Sequence, residues 1–151
     1  MNSFFENSNK FTLFEMNSNN NDIISDLIIR IKNAHQAKHR LVAIPRTKMS
    51  IEITKILKEE GYIREYQTCV DFKKNTKYLL LILKYKSDNV AIITDIKRVS
   101  KPGSRVYMKT LVLPTVRNNL GTVIVSTSQG IMTNKKARKL GIGGEILCYI
   151  W

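Results

Sequence analysis

The chain has 151 residues, a mass of 17.4 kDa and a formal charge of +13 from 25 Lys and Arg against 12 Asp and Glu; that is room for one domain or two small ones and too little for a large multidomain enzyme. No stretch approaches the ~18–20 uninterrupted apolar residues that span a bilayer, so no membrane partner is expected, and a cationic surplus of this size makes a polyanion the first partner to consider. Cys69 and Cys148 stand far apart and form no C-x-x-C pair, which points to a reduced compartment without a zinc site.

Residues 1–21 are rich in Asn and Ser, and their phenylalanines follow neither helical nor strand spacing, so a disordered tail is expected. The opening lacks the basic start and apolar run of a secretory signal, and Glu6 and Glu15 argue against an import peptide. From Asp22, the apolar positions Ile23, Ile24, Leu27, Ile28, Ile31 and Ala34 recur at helical spacing. Asp22 and Asp26 come early and Arg30, Lys32 and Lys38 late, as the helix dipole favours. A short strand over 41–44 is closed by Pro45, which lacks a backbone donor, and a basic turn of Pro45, Arg46, Thr47 and Lys48 follows. A second amphipathic helix over about 49–60 buries Ile53, Ile56 and Leu57 and stops at Gly61. Strands at 62–66 and 78–85 are joined by a polar turn through Asp71, Lys73, Lys74 and Asn75.

The pattern breaks at Ser87, Asp88 and Asn89, which divides the chain into a tail over 1–21, an α+β domain over 22–88 and a mostly β domain over 89–151. In the second domain, strands are expected at 91–99, 105–109, 122–126 and 145–151, with turns at 101–104 and 118–121. One helix over 133–140 is capped by Thr133 and stopped by Gly141. The fold class is therefore α+β. Residues 22–88 carry 14 bases and 8 acids, whereas 89–151 carry 10 bases and only 2 acids. A positive field over one face of the second domain follows, and the anion site is expected there.

The most informative segment runs Val125-Ser126-Thr127-Ser128-Gln129-Gly130-Ile131-Met132-Thr133-Asn134-Lys135-Lys136. Three consecutive hydroxyls at a strand end, a glycine and a capped helix start bring donors together where phosphate or sugar oxygens fit, and Lys135, Lys136, Arg138 and Lys139 add charge. The competing reading is a Ser/Thr-rich loop whose hydroxyls satisfy their own backbone. A second segment, Arg98 to Tyr107, interleaves cations with a turn and an aromatic able to stack on an unpaired base. Enzymatic signals are poor. His35 and His39 have the spacing of a zinc pair, but no third ligand or intervening Glu accompanies them, so they read as a solvated helix face. Glu59 and Glu60 are adjacent on a helix and diverge, and Gly141, Gly143 and Gly144 read as a turn before a strand.

Five blocks, in order, resemble the small ribosomal subunit protein eight family over about 22–151. They are Asp22-Ile23-Ile24-Ser25-Asp26-Leu27 with Arg30-Ile31-Lys32-Asn33-Ala34; Leu57-Lys58-Glu59-Glu60-Gly61-Tyr62-Ile63; Arg98-Val99-Ser100-Lys101-Pro102-Gly103 with Arg105-Val106-Tyr107; Val125 to Thr133; and Gly143-Gly144-Glu145-Ile146-Leu147-Cys148. The resemblance implies two small α+β domains, the first with two helices on a three-stranded sheet and the second mostly β with short helices. It implies no catalysis, no cofactor, no metal and no small-molecule substrate. The partners it implies are the central domain of small-subunit rRNA, bound directly during assembly, and other small-subunit ribosomal proteins. The second-domain contacts it implies are Ser126, Thr127, Ser128 and Gly130, to which Gln129 of the same loop, Thr133, Tyr107, Lys101, Arg105 and Lys135 of the basic helix are added as further candidates. Arg30, Lys32 and Lys48 of the first domain would touch the RNA backbone.

The chain departs from the pattern at Gln129, where Lys or Arg is usual, at Asn134, where Asp is common, and in its long Asn-rich start. The ending 142–151 looks most like plastid-encoded members, and Ile, Lys and Asn, all with AT-rich codons, make up 49 of the 151 residues. A plastid ribosome is the expected location and a bacterial one the alternative. A general nucleic-acid-binding protein and an RNA-processing enzyme are the competing functions.

Overall fold

The computed structural model describes residues 22–118 and 120–151, and the expected tail over 1–21 lies outside them. Helix α1 (Ile23–Gln36) begins where the Asp22 carboxylate accepts from the Ser25 backbone N–H at 3.3 Å and from its hydroxyl at 2.5 Å. Its stripe of Ile24, Leu27, Ile28, Ile31 and Ala34 is buried. Strand β1 (Leu41–Pro45) leads into α2 (Lys48–Glu59), which is closed by reciprocal bonds: Ser50 N–H donates to the Thr47 hydroxyl at 3.0 Å, and Thr47 N–H to the Ser50 hydroxyl at 2.8 Å. Thr47, read from sequence as part of a basic turn, is thus the helix cap. Strands β2 (Ile63–Asp71) and β3 (Thr76–Leu83) complete an antiparallel sheet in the order β1-β3-β2. Leu79, Leu81 and Leu83 alternate into the core, as the two-residue period of a strand demands.

The second sheet contains β4 (Ile96–Arg98), β5 (Tyr107–Met108), β6 (Thr122–Thr127), β7 (Gly130–Thr133) and β8 (Gly144–Ile150). Its order is β4-β8-β6-β7, with β5 also paired to β8 and every pairing antiparallel. A short 3-10 turn (Thr110–Val112) follows β5, and α3 (Asn134–Leu140) follows β7. The Thr133 hydroxyl caps α3, and Gly141 ends it in the left-handed region at φ 68°.

Two expectations are corrected. The strand expected over 91–99 survives only as Ile96–Arg98, because the N–H groups of Thr94 and Asp95 donate instead to the Trp151 carbonyl at 2.7 and 3.1 Å. The strand expected over 105–109 shrinks to Tyr107–Met108, because the Val106 N–H donates to the Ser100 hydroxyl at 3.3 Å within the preceding turn. One strand went unforeseen. Residues 130–133 fold back on β6 as β7, a hairpin that Gly130 permits by adopting φ 104°.

One apolar cluster passes through both sheets, joining Ile31, Ile44, Leu57 and Leu79 to Ile96, Ile124, Leu147 and Ile150. A smaller one under α3 holds Val123, Val125, Met132, Ala137 and Ile146. Strand β6 is buried on both faces, with Ile124 toward the first cluster and Val123 and Val125 toward the second. Tyr62 Oη lies 3.1 Å from Thr122 Oγ1 and 3.3 Å from the Ile150 carbonyl, and Arg98 reaches Asp22 at 3.3 Å. The two sheets therefore share apolar and polar contacts, and the second sheet is held against α1 and α2.

Candidate nucleic-acid interface

The hydroxyl segment is the β6–β7 hairpin. Thr127 pairs with Gly130 across the turn, leaving Ser128 and Gln129 exposed at its tip. The three hydroxyls have separate fates. Thr127 Oγ1 donates to the Gly130 carbonyl at 2.8 Å and accepts from Gln129 N–H at 3.1 Å, so it closes the turn, as the local reading of such loops anticipates. Ser128 projects outward. Ser126 is half-buried on β6, and Thr133, with 9% of its surface exposed, accepts from Lys136 N–H at 3.2 Å as the α3 cap.

Ser126 belongs to a cross-strand row. It stands opposite Glu145 of β8 and Ile131 of β7, while Glu145 stands opposite Tyr107 of β5. Residues directly opposite in an antiparallel sheet share a face, so the sheet brings Tyr107, Glu145 and Ser126 together. Tyr107 is 69% exposed. Glu145 organises the row: its Oε1 accepts from the Ser100 hydroxyl at 2.5 Å and from Arg105 Nη1 at 2.9 Å. Ser100 is fully buried just before the tight turn in which Lys101 and Ser104 exchange backbone bonds of 3.0 and 2.9 Å. Lys101 and Arg105 thus flank one turn anchored to β8.

Burial pushes the Glu145 carboxyl up, but the bonds from Ser100 and Arg105 outweigh it and hold the group below the usual range. A depressed folded value adds stability above the unfolded value, about 4.3, and loses it as pH falls through the folded value. Glu145→Gln should therefore flatten the acid side of the stability curve, read as urea midpoints from about pH 7 down to pH 3. Parallel curves for the two proteins would remove Glu145 from the acid response.

Both acids of the second half are occupied by cations, Glu145 by Arg105 and Asp95 by Lys32 at 2.7 Å. Lys135, Lys136, Arg138 and Lys139 stand exposed on α3, and Lys97 on β4, Lys101 in the turn after it and Lys109 after β5 are exposed as well. The first half contributes unevenly. Arg30, its side chain 13% exposed, is held by Asp26 at 2.9 Å, and Lys32 is engaged by Asp95. Lys48 is exposed, one helical turn before Glu52, whose Oε2 accepts Ile131 N–H at 3.2 Å. The packing of α2 on β7 leaves Lys48 exposed one helical turn from Glu52, and it brings one carboxylate, Glu52, to a face expected to be nearly free of acids.

Sequence reasoning gave no role to Ser100, Glu145 or Glu52, and noted Asn134 only as a departure from the family pattern. Glu145 had one visible signal, as one of only 2 acids after residue 88. The Asn134 amide accepts from Val123 N–H at 3.4 Å and donates to the Pro114 carbonyl at 3.1 Å. An aspartate could make only the first of these bonds, which gives the departure at this position a structural basis. His35 is half-buried with its ring edge-on to Tyr85 at 5.6 Å, a packed side chain where a solvated one was expected, and burial lowers its pKa. Among the described residues, no group of three or more His, Cys, Asp or Glu is placed to hold a metal ion.

Known proteins resemble this chain over the described region. The family model described as Ribosomal protein S8 matches residues 22–151. A protein of Phaeodactylum tricornutum named small ribosomal subunit protein uS8c is 53% identical over 132 residues, covering 87% of this chain and 98% of the relative. Proteins named small ribosomal subunit protein uS8 are similar at 54% over 130 residues in Mycoplasmopsis synoviae, covering 86% of this chain and 97% of the relative, and at 51% over 132 residues in Trichodesmium erythraeum, covering 87% and 98%. With the family model spanning the whole described region and relatives matched almost end to end, the chain belongs to the ribosomal protein S8 family.

Proposed function

We propose that the protein is a non-catalytic constituent of the small ribosomal subunit that binds the central domain of its rRNA directly and orients that RNA during assembly. The observation that carries this reading is electrostatic: the second half spends both its acids on ion pairs within the chain and keeps the cations of α3 exposed, on a helix packed against β6 and β7. The cations supply affinity through phosphate contacts and do not read sequence. Ser126, Ser128 and Gln129 supply hydrogen bonds that require one RNA shape, and Tyr107 offers a ring to an unpaired base. Lys101, Arg105 and Lys48 border the same region, and other small-subunit proteins are its further neighbours. Lys32, tied to Asp95, braces α1 against the segment before β4, while Arg30 pairs with Asp26 on its own helix and reaches the Ala43 carbonyl of β1 at 3.5 Å. The uS8c relative from a diatom, together with the plastid-like ending, supports a plastid ribosome as the setting.

The test is binding to separate rRNA domain fragments across a salt series. The wild type should prefer the central-domain fragment, and Lys135→Ala should weaken all fragments alike, reducing the slope of log K against log salt by roughly 0.7–0.9. An unchanged slope would take Lys135 out of the interface. Equal affinity for every fragment would contradict the central-domain assignment.

A further inference from the structure

The β2–β3 hairpin carries a feature that the second-half interface does not use. Strand β1 ends where Pro45 pairs with Tyr78, and beyond that point β2 and β3 pair only with each other, through Val70 with Lys77 and Asp71 with Thr76. The end of the hairpin is therefore a short two-stranded arm, two residue pairs long, projecting past the sheet. The base of the hairpin is fixed, because Tyr62 is bonded to Thr122 of the second sheet. Nine extended residues at ~3.3 Å each place the tip about 30 Å away from that anchor. At the tip, Phe72 is 91% exposed and Val70 is 41% exposed.

The charge around this aromatic is predominantly positive, three lysines against one aspartate. Lys73, Lys74 and Lys77 are exposed, and among the described residues none of them enters an ion pair. The one acid of the turn, Asp71, accepts from the backbone N–H groups of Lys73 and Lys74 at 3.0 and 3.3 Å, so its carboxylate serves the loop. Glu65, further down β2, is engaged by Lys58 at 2.7 Å. A bare aromatic ring among three free ammonium groups suits a ligand that offers both a flat π face and negative charge. Single-stranded RNA presents this combination, with bases that stack on an aromatic and phosphates that meet the lysines. A duplex hides its base faces.

We propose that the β2–β3 arm is a second RNA contact, in which Phe72 stacks on an unpaired nucleotide while Lys73, Lys74 and Lys77 hold the flanking phosphates. The contact is independent of the β6–β7 hairpin and can be tested apart from it. Phe72→Trp in a Trp151→Phe background places a fluorescent ring at the tip and removes the native one. A short oligoadenylate should quench its emission, a blunt duplex RNA of the same length should not, and Lys73→Gln with Lys74→Gln should weaken the quenching. In the native background, Phe72→Ala should lower oligoadenylate affinity about tenfold in a gel shift while leaving the urea midpoint unchanged. Unchanged emission with oligoadenylate, or equal quenching by the duplex, would overturn the proposal. Retained binding of the central-domain fragment in that case would leave the reading of the second-half interface standing, whereas quenching without fragment binding would uphold the arm and contradict that reading.

Discussion

Gly144→Ala should destabilise the protein by about 3 kcal/mol or more, the largest effect expected from a single methyl group in this fold. A Cβ at this position would stand 2.1 Å from the Ser126 carbonyl oxygen, 2.9 Å from its carbon and 3.1 Å from a Val125 methyl. Two of these atoms are backbone of β6, which is buried on both faces and paired on both edges, so no rotamer change relieves the clash. Gly143 is similarly confined, with a Cβ 2.4 Å from the Met108 carbonyl oxygen. The cause is close approach between strands: β8 passes between β5 and β6 with no room for side chains at its entry. A urea titration monitored by far-UV circular dichroism measures the cost, and a loss under about 0.5 kcal/mol would show that β8 can shift freely. Because the clash falls on Ser126, RNA affinity should fall along with stability.

Ser128→Ala should do the reverse, with stability within about 0.5 kcal/mol of wild type and RNA affinity reduced by about 1–3 kcal/mol. Ser128 is exposed at the hairpin tip, whereas Thr127 spends its hydroxyl on the turn and Thr133 spends its own on the α3 cap. Of the hydroxyls near the tip, that of Ser128 is thus the most open to a ligand. The central-domain fragment should be weakened more than random RNA, because a shape-dependent hydrogen bond is lost while no phosphate contact is. Equal weakening of both would remove the recognition role from this hydroxyl, and a large fall in the urea midpoint would assign it a structural one.

The helices were legible because their signals are local. Asp22 and Thr133 are capping residues followed by a clear apolar stripe or a basic run, and Gly61 and Gly141 stop the helices they follow. The β6–β7 hairpin was hidden because Ser128-Gln129 is not one of the Asn-Gly or Asp-Gly pairs that mark two-residue turns, and β7 is only four residues long. Ile92 and Ile93 suggested a strand by their β-branched character, yet the neighbouring N–H groups bond to Trp151, a residue whose proximity no local pattern announces. The same limit applies to the interface. The excess of bases after residue 88 is visible in composition, but the allocation of Lys32 to Asp95, Arg30 to Asp26 and Arg105 to Glu145 is decided by tertiary packing. That allocation separates the cations that brace the fold from those left facing solvent.

The most direct measurement is competition for a labelled central-domain rRNA fragment, bound to the full chain at about 0.15 M salt, by the unlabelled fragment and by random-sequence duplex RNA of equal length. A surface that fits one folded RNA should need about a thousandfold more random duplex than specific fragment for the same displacement. Displacement by the two competitors at equal concentrations would mean that the α3 cations bind RNA by charge alone, and would contradict the recognition role given to the β6–β7 hairpin.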